Sequence, residues 1–278
     1  RTISPLPCTK VMTFKKFIQE ASSGKAETIK SFLLDHCNLV DSEIEIHEDL
    51  TVTIHGDLIV ERQSFSRFPC AFSAIDGSIS ISHCQIKTLI GMPKSIPGDL
   101  LLYNTKLSNL EYGPEEIGGE LKLTANNQMT SLKGAPREVQ KLSIADCEKL
   151  ESLEGGPKII NGMCKVDTCD GLTSIEGIAE TINGNLHLTN CRSLQSLKSI
   201  HKNLKQCSGK INVSGTRFKS HIMGLFFVKG IKGFEYNFGT GKASEAFEII
   251  FKATKEGKDQ LECQDLLIDA NLQSFAGL

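Results

Sequence analysis

The chain has 278 residues, 40% of them apolar, with 31 Lys plus Arg against 33 Asp plus Glu for a net charge of −2. That length allows one large domain or two small ones with a packed core, and the balanced charge leaves no basic excess to neutralise a phosphate backbone, which argues against general nucleic-acid binding. No run approaches the roughly 20 apolar residues of a membrane span, and no signal-peptide pattern stands at the start, so a cytoplasmic chain without membrane contact is expected.

In chain order, residues 1–11 read as an extension or tag remnant. Residues 12–55 read as an N-terminal cap. Apolar positions at Phe14, Phe17, Ile18, Ile29, Phe32, Leu33 and Leu34, with Gly24 interrupting, predict one or two amphipathic helices. The alternation Ile44/Ile46 and Val52/Ile54 then predicts strands.

Residues 56–215 carry a repeat. An apolar-x-apolar pair recurs at Leu58/Val60, Ile79/Ile81, Leu100/Leu102, Leu121/Leu123, Leu142/Ile144, Cys164/Val166, Leu186/Leu188 and Ile211/Val213, in steps of 21, 21, 21, 21, 22, 22 and 25. Two further apolar columns follow each pair, from Phe65/Phe68 to Leu194/Leu197. A fifth column holds Ile75, Ile96, Ile117, Val139, Ile160, Ile182 and Leu204. Turn signals such as Gly91-Met92-Pro93 and Gly155-Gly156-Pro157 separate the last two columns. The pattern predicts a β-solenoid of about 7–8 rungs of 21–22 residues. Each rung supplies one short strand and buries its apolar face only against its neighbours, and the Pro-containing return side is expected to be extended or polyproline-like. Residues 216–278 read as a C-terminal helical cap, with helices over 221–232, 243–256 and 258–272, because open solenoid ends expose unpaired strand edges that need covering.

The phrase L-x-L-x-x-(N/C)-x-x-L resembles the leucine-rich repeat, a likeness that implies turn-capping side chains in the column Gln63, Cys84, Thr105, Asn126, Cys147, Cys169 and Cys191. It assigns four of the ten cysteines a structural place, and the cysteines read as reduced. Thr130-Ser131-Leu132-Lys133-Gly134-Ala135-Pro136 is similar to the short repeats of YopM- and IpaH-type bacterial effectors, with L-x-G-x-P in place of their usual L-P-x-L-P. A closer resemblance is to leucine-rich-repeat proteins of tailed bacteriophages. It is carried by Met12–Glu20, which looks like an open-reading-frame start, and by the runs Gly224–Lys232 and Cys263–Ala270 after the repeats. The repeat likeness spans about residues 56–215 and implies fold far more than function.

Outward strand positions form a small and polar ladder on the expected concave face, where Tyr103, Lys122, Lys165, Asp167 and His187 are the candidate binding residues. A solvated sheet face without a partner is the alternative. Cys263-Gln264-Asp265 matches the C-x-D of the IpaH ligase domain, but only some 60 residues follow the repeats, and Cys263 falls in an apolar helix pattern. Gly239-Thr240-Gly241-Lys242 fails the phosphate-loop pattern because Tyr236 stands where Gly is needed. His83-Cys84 and His36-Cys37 lack a matching second ligand pair, so no metal is expected. No cofactor and no catalytic residues are expected either. The overall expectation is a non-enzymatic module with a protein partner of unknown identity: phage-encoded and binding a host protein in the bacterial cytoplasm, or else a virion component, or else a bacterial effector acting on a host protein. The oligomeric state stays open.

Overall fold

The computed structural model describes residues 14–237 and 241–277, and for 14–23 only the helical path; the extension expected at 1–11 lies outside the described residues. The chain winds as a β-solenoid of about nine turns. Its main sheet holds nine consecutive strands in strict sequence order: Leu58–Glu61, Ile79–Ser82, Leu100–Tyr103, Glu120–Thr124, Lys141–Ala145, Cys164–Asp167, Leu186–Thr189, Lys210–Asn212 and Gly233–Glu235. All pairings are parallel and in register, so that Ile79, Leu100, Leu121 and Leu142 stand side by side, as do Ile81, Leu102, Leu123 and Ile144. Side chains alternate across a strand. Leu121 and Leu123 are therefore fully buried while Lys122 between them is exposed. Burying one such Leu or Ile contributes roughly 1.5–3 kcal/mol, and stacking repeats that contribution at each turn.

The return side pairs as well. Ser95–Ile96 lies beside Glu116–Ile117, and Glu138–Val139, Ile159–Ile160, Thr181–Ile182 and Gln206–Cys207 form a second parallel sheet. Of the expected extended or polyproline-like backbone, the extended alternative is found, as two-residue strands that pair between turns. The last member of that column is also corrected, because Ile182 pairs with Cys207 and not with Leu204. The 25-residue step inserts a helical turn, Ile200–Asn203, ahead of the strand, and Leu204 is buried beneath it.

Two backbone devices close every turn. The residue ahead of the Gln63–Cys191 column takes a positive φ each time: Arg62, His83, Asn104, Ala125, Asp146, Thr168 and Asn190 lie between 48° and 54°, and Gly215 continues the series. On the other side the carbonyls of Leu89, Leu110, Leu132, Leu153, Ile175 and Leu197 accept from the N–H three residues on. The third residue of each turn, Gly91, Tyr112, Gly134, Gly155, Gly177 and Ser199, has positive φ, as a type II turn requires.

Between turns, buried side chains link the backbone. Asn126 Oδ1 accepts from Thr105 N at 2.9 Å and Thr105 Oγ1 at 2.6 Å, and its Nδ2 donates to Leu102 O at 2.8 Å. Thr216 repeats the motif, accepting from Cys191 N at 3.1 Å and donating to Leu188 O at 2.8 Å. The Cys84, Cys147 and Cys191 sulfurs occupy the same place, each nearest a carbonyl of its own turn (Ser82, Ala145 and Thr189) and within 3.6–4.0 Å of the Val60, Leu123 and Val166 carbonyls of the preceding turn. A second ladder ahead of the strands runs from Asp57 to Ser78 N, Ser78 to Asp99 N, and Asp99 to Glu120 N.

At the amino end a single helix, Phe14–His36, runs through Gly24 without a break, because a side chain at that position meets open space and nothing forces a turn. Phe32 packs edge-on to Phe65 at 4.9 Å, and His36 Nδ1 bonds Gln63 Oε1 at 2.9 Å. The strands Ile44–Ile46 and Val52–Ile54 form an antiparallel hairpin, whose second strand pairs with Phe72–Ile75 on the return side.

At the carboxyl end the helix expected over 221–232 is only a short 3-10 turn, Met223–Phe227. The chain then continues as a ninth turn, with Ile211 pairing Phe234, so the parallel sheet extends past residue 215. Helices Lys242–Lys255 and Gln260–Asp269 follow. Phe247, fully buried, meets Phe234 at 4.9 Å and Phe218 at 5.8 Å, and His221 N donates to Ser274 O at 2.9 Å.

A charged cluster on the outward sheet face

Register places the five candidate residues in two rows on the outward face. Lys122, Ser143, Lys165, His187, Asn212 and Glu235 form one row. Tyr103, Thr124, Ala145, Asp167 and Thr189 form the other.

Three of the five come together. Lys165 Nζ lies 3.3 Å from Asp167 Oδ2 on the same strand, and His187 occupies the neighbouring position beside Lys165. Asp167 is fixed further: its Oδ1 accepts from Thr189 Oγ1 at 2.5 Å and from Asn190 Nδ2 at 3.0 Å. Partial burial opposes ionisation of Asp167, yet the donors Thr189, Asn190 and Lys165 outweigh it and hold the carboxyl below its ordinary value. His187 moves down from its ordinary value as well. Burial disfavours the imidazolium and Lys165 adds to that, against the attraction of Glu235 and Asp167.

The row ends in Glu235, whose Oε1 takes Lys210 Nζ at 3.0 Å and whose Oε2 takes Asn212 Nδ2 at 3.2 Å. Sequence reasoning missed Glu235 because the solenoid was expected to end at residue 215 and no strand was expected between the helices over 221–232 and 243–256. Its only signal is the pair Phe234 and Tyr236 flanking it, 23 residues after Ile211 and Val213.

Lys122 and Tyr103 stand apart from this cluster. Lys122 is two strands from Lys165, about 10 Å at the ~4.8 Å strand spacing, and has no acidic partner among the described residues. Tyr103 is three strands from Asp167. It packs edge-on to His83, ring centres 4.7 Å apart, and His83 Nδ1 bonds Asn104 Nδ2 at 3.0 Å. The face therefore carries an ordered charged cluster on its sixth and seventh strands and a separate aromatic pair toward its amino end, at the second and third.

No family model, curated protein or solved structure matches the chain. Its chemistry is thus read from its own side chains.

Among the described residues no three His, Cys, Asp or Glu side chains converge as a metal-holding group, and no helix is long and apolar enough to cross a membrane. His36 and His83, next to cysteines in sequence, are engaged by Gln63 and by Tyr103 with Asn104. Cys263 is fully buried in its helix, and burial pushes its thiol up to about 11, away from the thiolate form a nucleophile needs. His187 makes no side-chain hydrogen bond among the described residues, and the hydroxyl nearest its cluster, Thr189 Oγ1, donates to Asp167. The arrangement suits fixed-geometry recognition of a polar group: a carboxylate held by Thr189 and Asn190 and paired with the Lys165 ammonium, with the His187 imidazole at the neighbouring position.

Proposed function

We propose that the chain is a leucine-rich-repeat-type solenoid, closed at both ends by its helices, that works as a non-enzymatic protein-binding module through the outward face of its nine-stranded sheet. The repeat type is supported by the Asn126, Thr216 and cysteine bridges between turns, and closure by the packing of Phe32 on Phe65 and of Phe247 on Phe234. The observation that carries the binding role is the Lys165–Asp167–His187 cluster. Hydrogen bonds from Thr189 and Asn190 and the Lys165 ion pair order Asp167 before any partner arrives, so that side chain has little freedom left to lose on association. Tyr103, 42% exposed and braced by His83, supplies a separate interface anchor on the same face, three strands from Asp167.

The test is affinity capture from bacterial lysate by the tagged protein, with two variants in parallel: Lys165→Glu with His187→Ala, and Tyr103→Ala with Lys122→Glu. Loss of the captured protein in either variant, with circular dichroism unchanged, supports the face as the binding site. Capture that survives both variants overturns it.

Phage origin and a host-protein partner in the bacterial cytoplasm rest on the resemblance of the repeats and ends to phage proteins. Mass spectrometry of purified particles separates that reading from a virion role, because only a virion component is present in stoichiometric copies.

A further inference from the structure

A cavity of about 970 Å³ lies where the last turns of the solenoid meet the start of helix Lys242–Lys255. Its charge is one-sided. Arg192, Arg217, Lys219 and Lys242 line it, and no carboxylate does among the described residues. Arg217, Lys219 and Lys242 have no acidic partner among the described residues, and Arg192 reaches Asp170 only at 4.0 Å.

The clustering follows from the repeat. Glu148, Asp170, Arg192 and Arg217 each follow the turn-capping residue of their rung, Cys147, Cys169, Cys191 and Thr216. The column changes sign at Arg192, and two like charges then sit on adjacent turns. In a chain of net charge −2 this concentrates positive potential in one concavity, and self-repulsion is relieved by a bound anion. Gly241 at the helix N-cap has no side chain to accept from the first turn, so the helix end adds its partial positive charge to the same space. Phe218 and Phe275, both buried, give the cavity an apolar floor. The volume lies at the upper end of the ~300–1,000 Å³ typical of small-molecule sites, which is ample for a nucleotide-sized molecule and far more than one phosphate group needs.

We propose that this cavity binds a phosphate-bearing small molecule of nucleotide size, its phosphates held by Arg192, Arg217 and Lys219 and by the start of helix Lys242–Lys255. Of the Gly239–Lys242 run, which fails the phosphate-loop pattern, Gly241 and Lys242 line the cavity; residues 238–240 lie outside the described residues. The site borders the outward sheet face through Asn190, which lines the cavity and donates to Asp167, but none of its cations belongs to the outward cluster.

Isothermal titration of the full chain with ATP, pyrophosphate and inorganic phosphate tests the proposal. ATP is expected to bind in the micromolar range, more tightly than inorganic phosphate, and to weaken steeply as salt rises. The double variant Arg217→Glu/Lys219→Glu alters two exposed side chains and is expected to weaken ATP at least tenfold with unchanged circular dichroism. A separate measurement needs no variant: amide chemical shifts on adding ATP to the unaltered protein are expected to move at Arg192, Arg217 and Ala243. No binding of any of the three probes at millimolar concentration overturns the proposal, as do shifts confined to other parts of the chain or equal ATP affinity in a folded double variant. Phosphate binding as tightly as ATP overturns the nucleotide-sized ligand.

Discussion

Asn126→Ala removes the best-connected link between two turns of the solenoid. In the folded chain the Asn126 side chain is fully buried and makes three hydrogen bonds, two accepted from Thr105 and one donated to Leu102 O. Alanine leaves the Thr105 N–H buried without its acceptor, at about 1–3 kcal/mol, and forfeits two further bonds at about 1 kcal/mol each. The expected loss is therefore about 3–5 kcal/mol, a large fraction of the ~5–15 kcal/mol that holds a typical domain. For a chain of this size it corresponds to a fall in Tm of roughly 6–20 °C, at about 2–4 °C per kcal/mol. The molecule supplies its own control: neighbouring turns use cysteine in this position, the Cys84 sulfur accepting from Gln63 N at 3.4 Å and facing Val60 O at 3.6 Å. Asn126→Cys is accordingly expected to lose only about 1–2 kcal/mol, since a sulfur bridge is longer and weaker but leaves no group bare. Urea unfolding followed by far-ultraviolet circular dichroism reads both. If alanine costs less than about 1 kcal/mol, or no more than cysteine, the bridges do not hold the turns together and the reasoning fails.

The type II turn column gives an opposed pair in one backbone setting. Gly177→Ala combines a positive φ with a methyl group placed 2.4 Å from Glu154 Cα and Leu153 O of the preceding turn, so thermal unfolding is expected to show a loss of at least about 2 kcal/mol; Tyr112→Gly, relieving φ 66° at an exposed side chain, is expected to be neutral or to gain up to about 1 kcal/mol. His55 sits between Asp76 Oδ2 at 2.9 Å and Glu45 Oε2 at 3.2 Å. Those acceptors, Asp76 first, raise it above its ordinary 6.5, so its stabilising effect is complete below that value and lost as pH rises through the folded one. An NMR titration is expected to place the His55 midpoint above 6.5 and to bring it down in Asp76→Asn, and an unmoved midpoint contradicts the pairing. Burial pushes the Cys37, Cys164 and Cys191 thiols up to about 12. Iodoacetamide at pH 8 is expected to leave all three unmodified until denaturant is added, and native-state labelling read by mass spectrometry is the refuting result.

Much of the solenoid is legible as text because its core is periodic. In-register parallel pairing puts equivalent residues of successive turns side by side, so the spacing of Leu100, Leu121 and Leu142 alone identifies which side chains share one buried stripe. The same periodicity marks the bridging column, where Asn126 and the cysteines recur. Legibility fails where the period breaks. The three extra residues at Ile200–Asn203 hide Cys207 as the partner of Ile182. The aromatic run from Phe226 to Tyr236 imitates a helix, although it holds the return and ninth strand of one more turn.

The candidate site divides in the same way. That Tyr103, Lys122, Lys165, Asp167 and His187 face outward follows from alternation along each strand, a local property of the extended backbone. Which of them meet is a property of three dimensions. Register carries Lys165 to His187, and rotamers bring Lys165, Thr189 and Asn190 onto Asp167, while Tyr103 turns to His83 instead. The cationic cavity lies further still from the text, because Arg192 and Lys242 are 50 positions apart and share a space only once the final helix has packed its Phe247 against the last turn. Sequence by itself determined the periodic core, since apolar faces recurring at one spacing bury one another when the turns stack in register; the packing of the end helices and the grouping of charges were decided by tertiary structure, because they depend on contacts between segments that share no period.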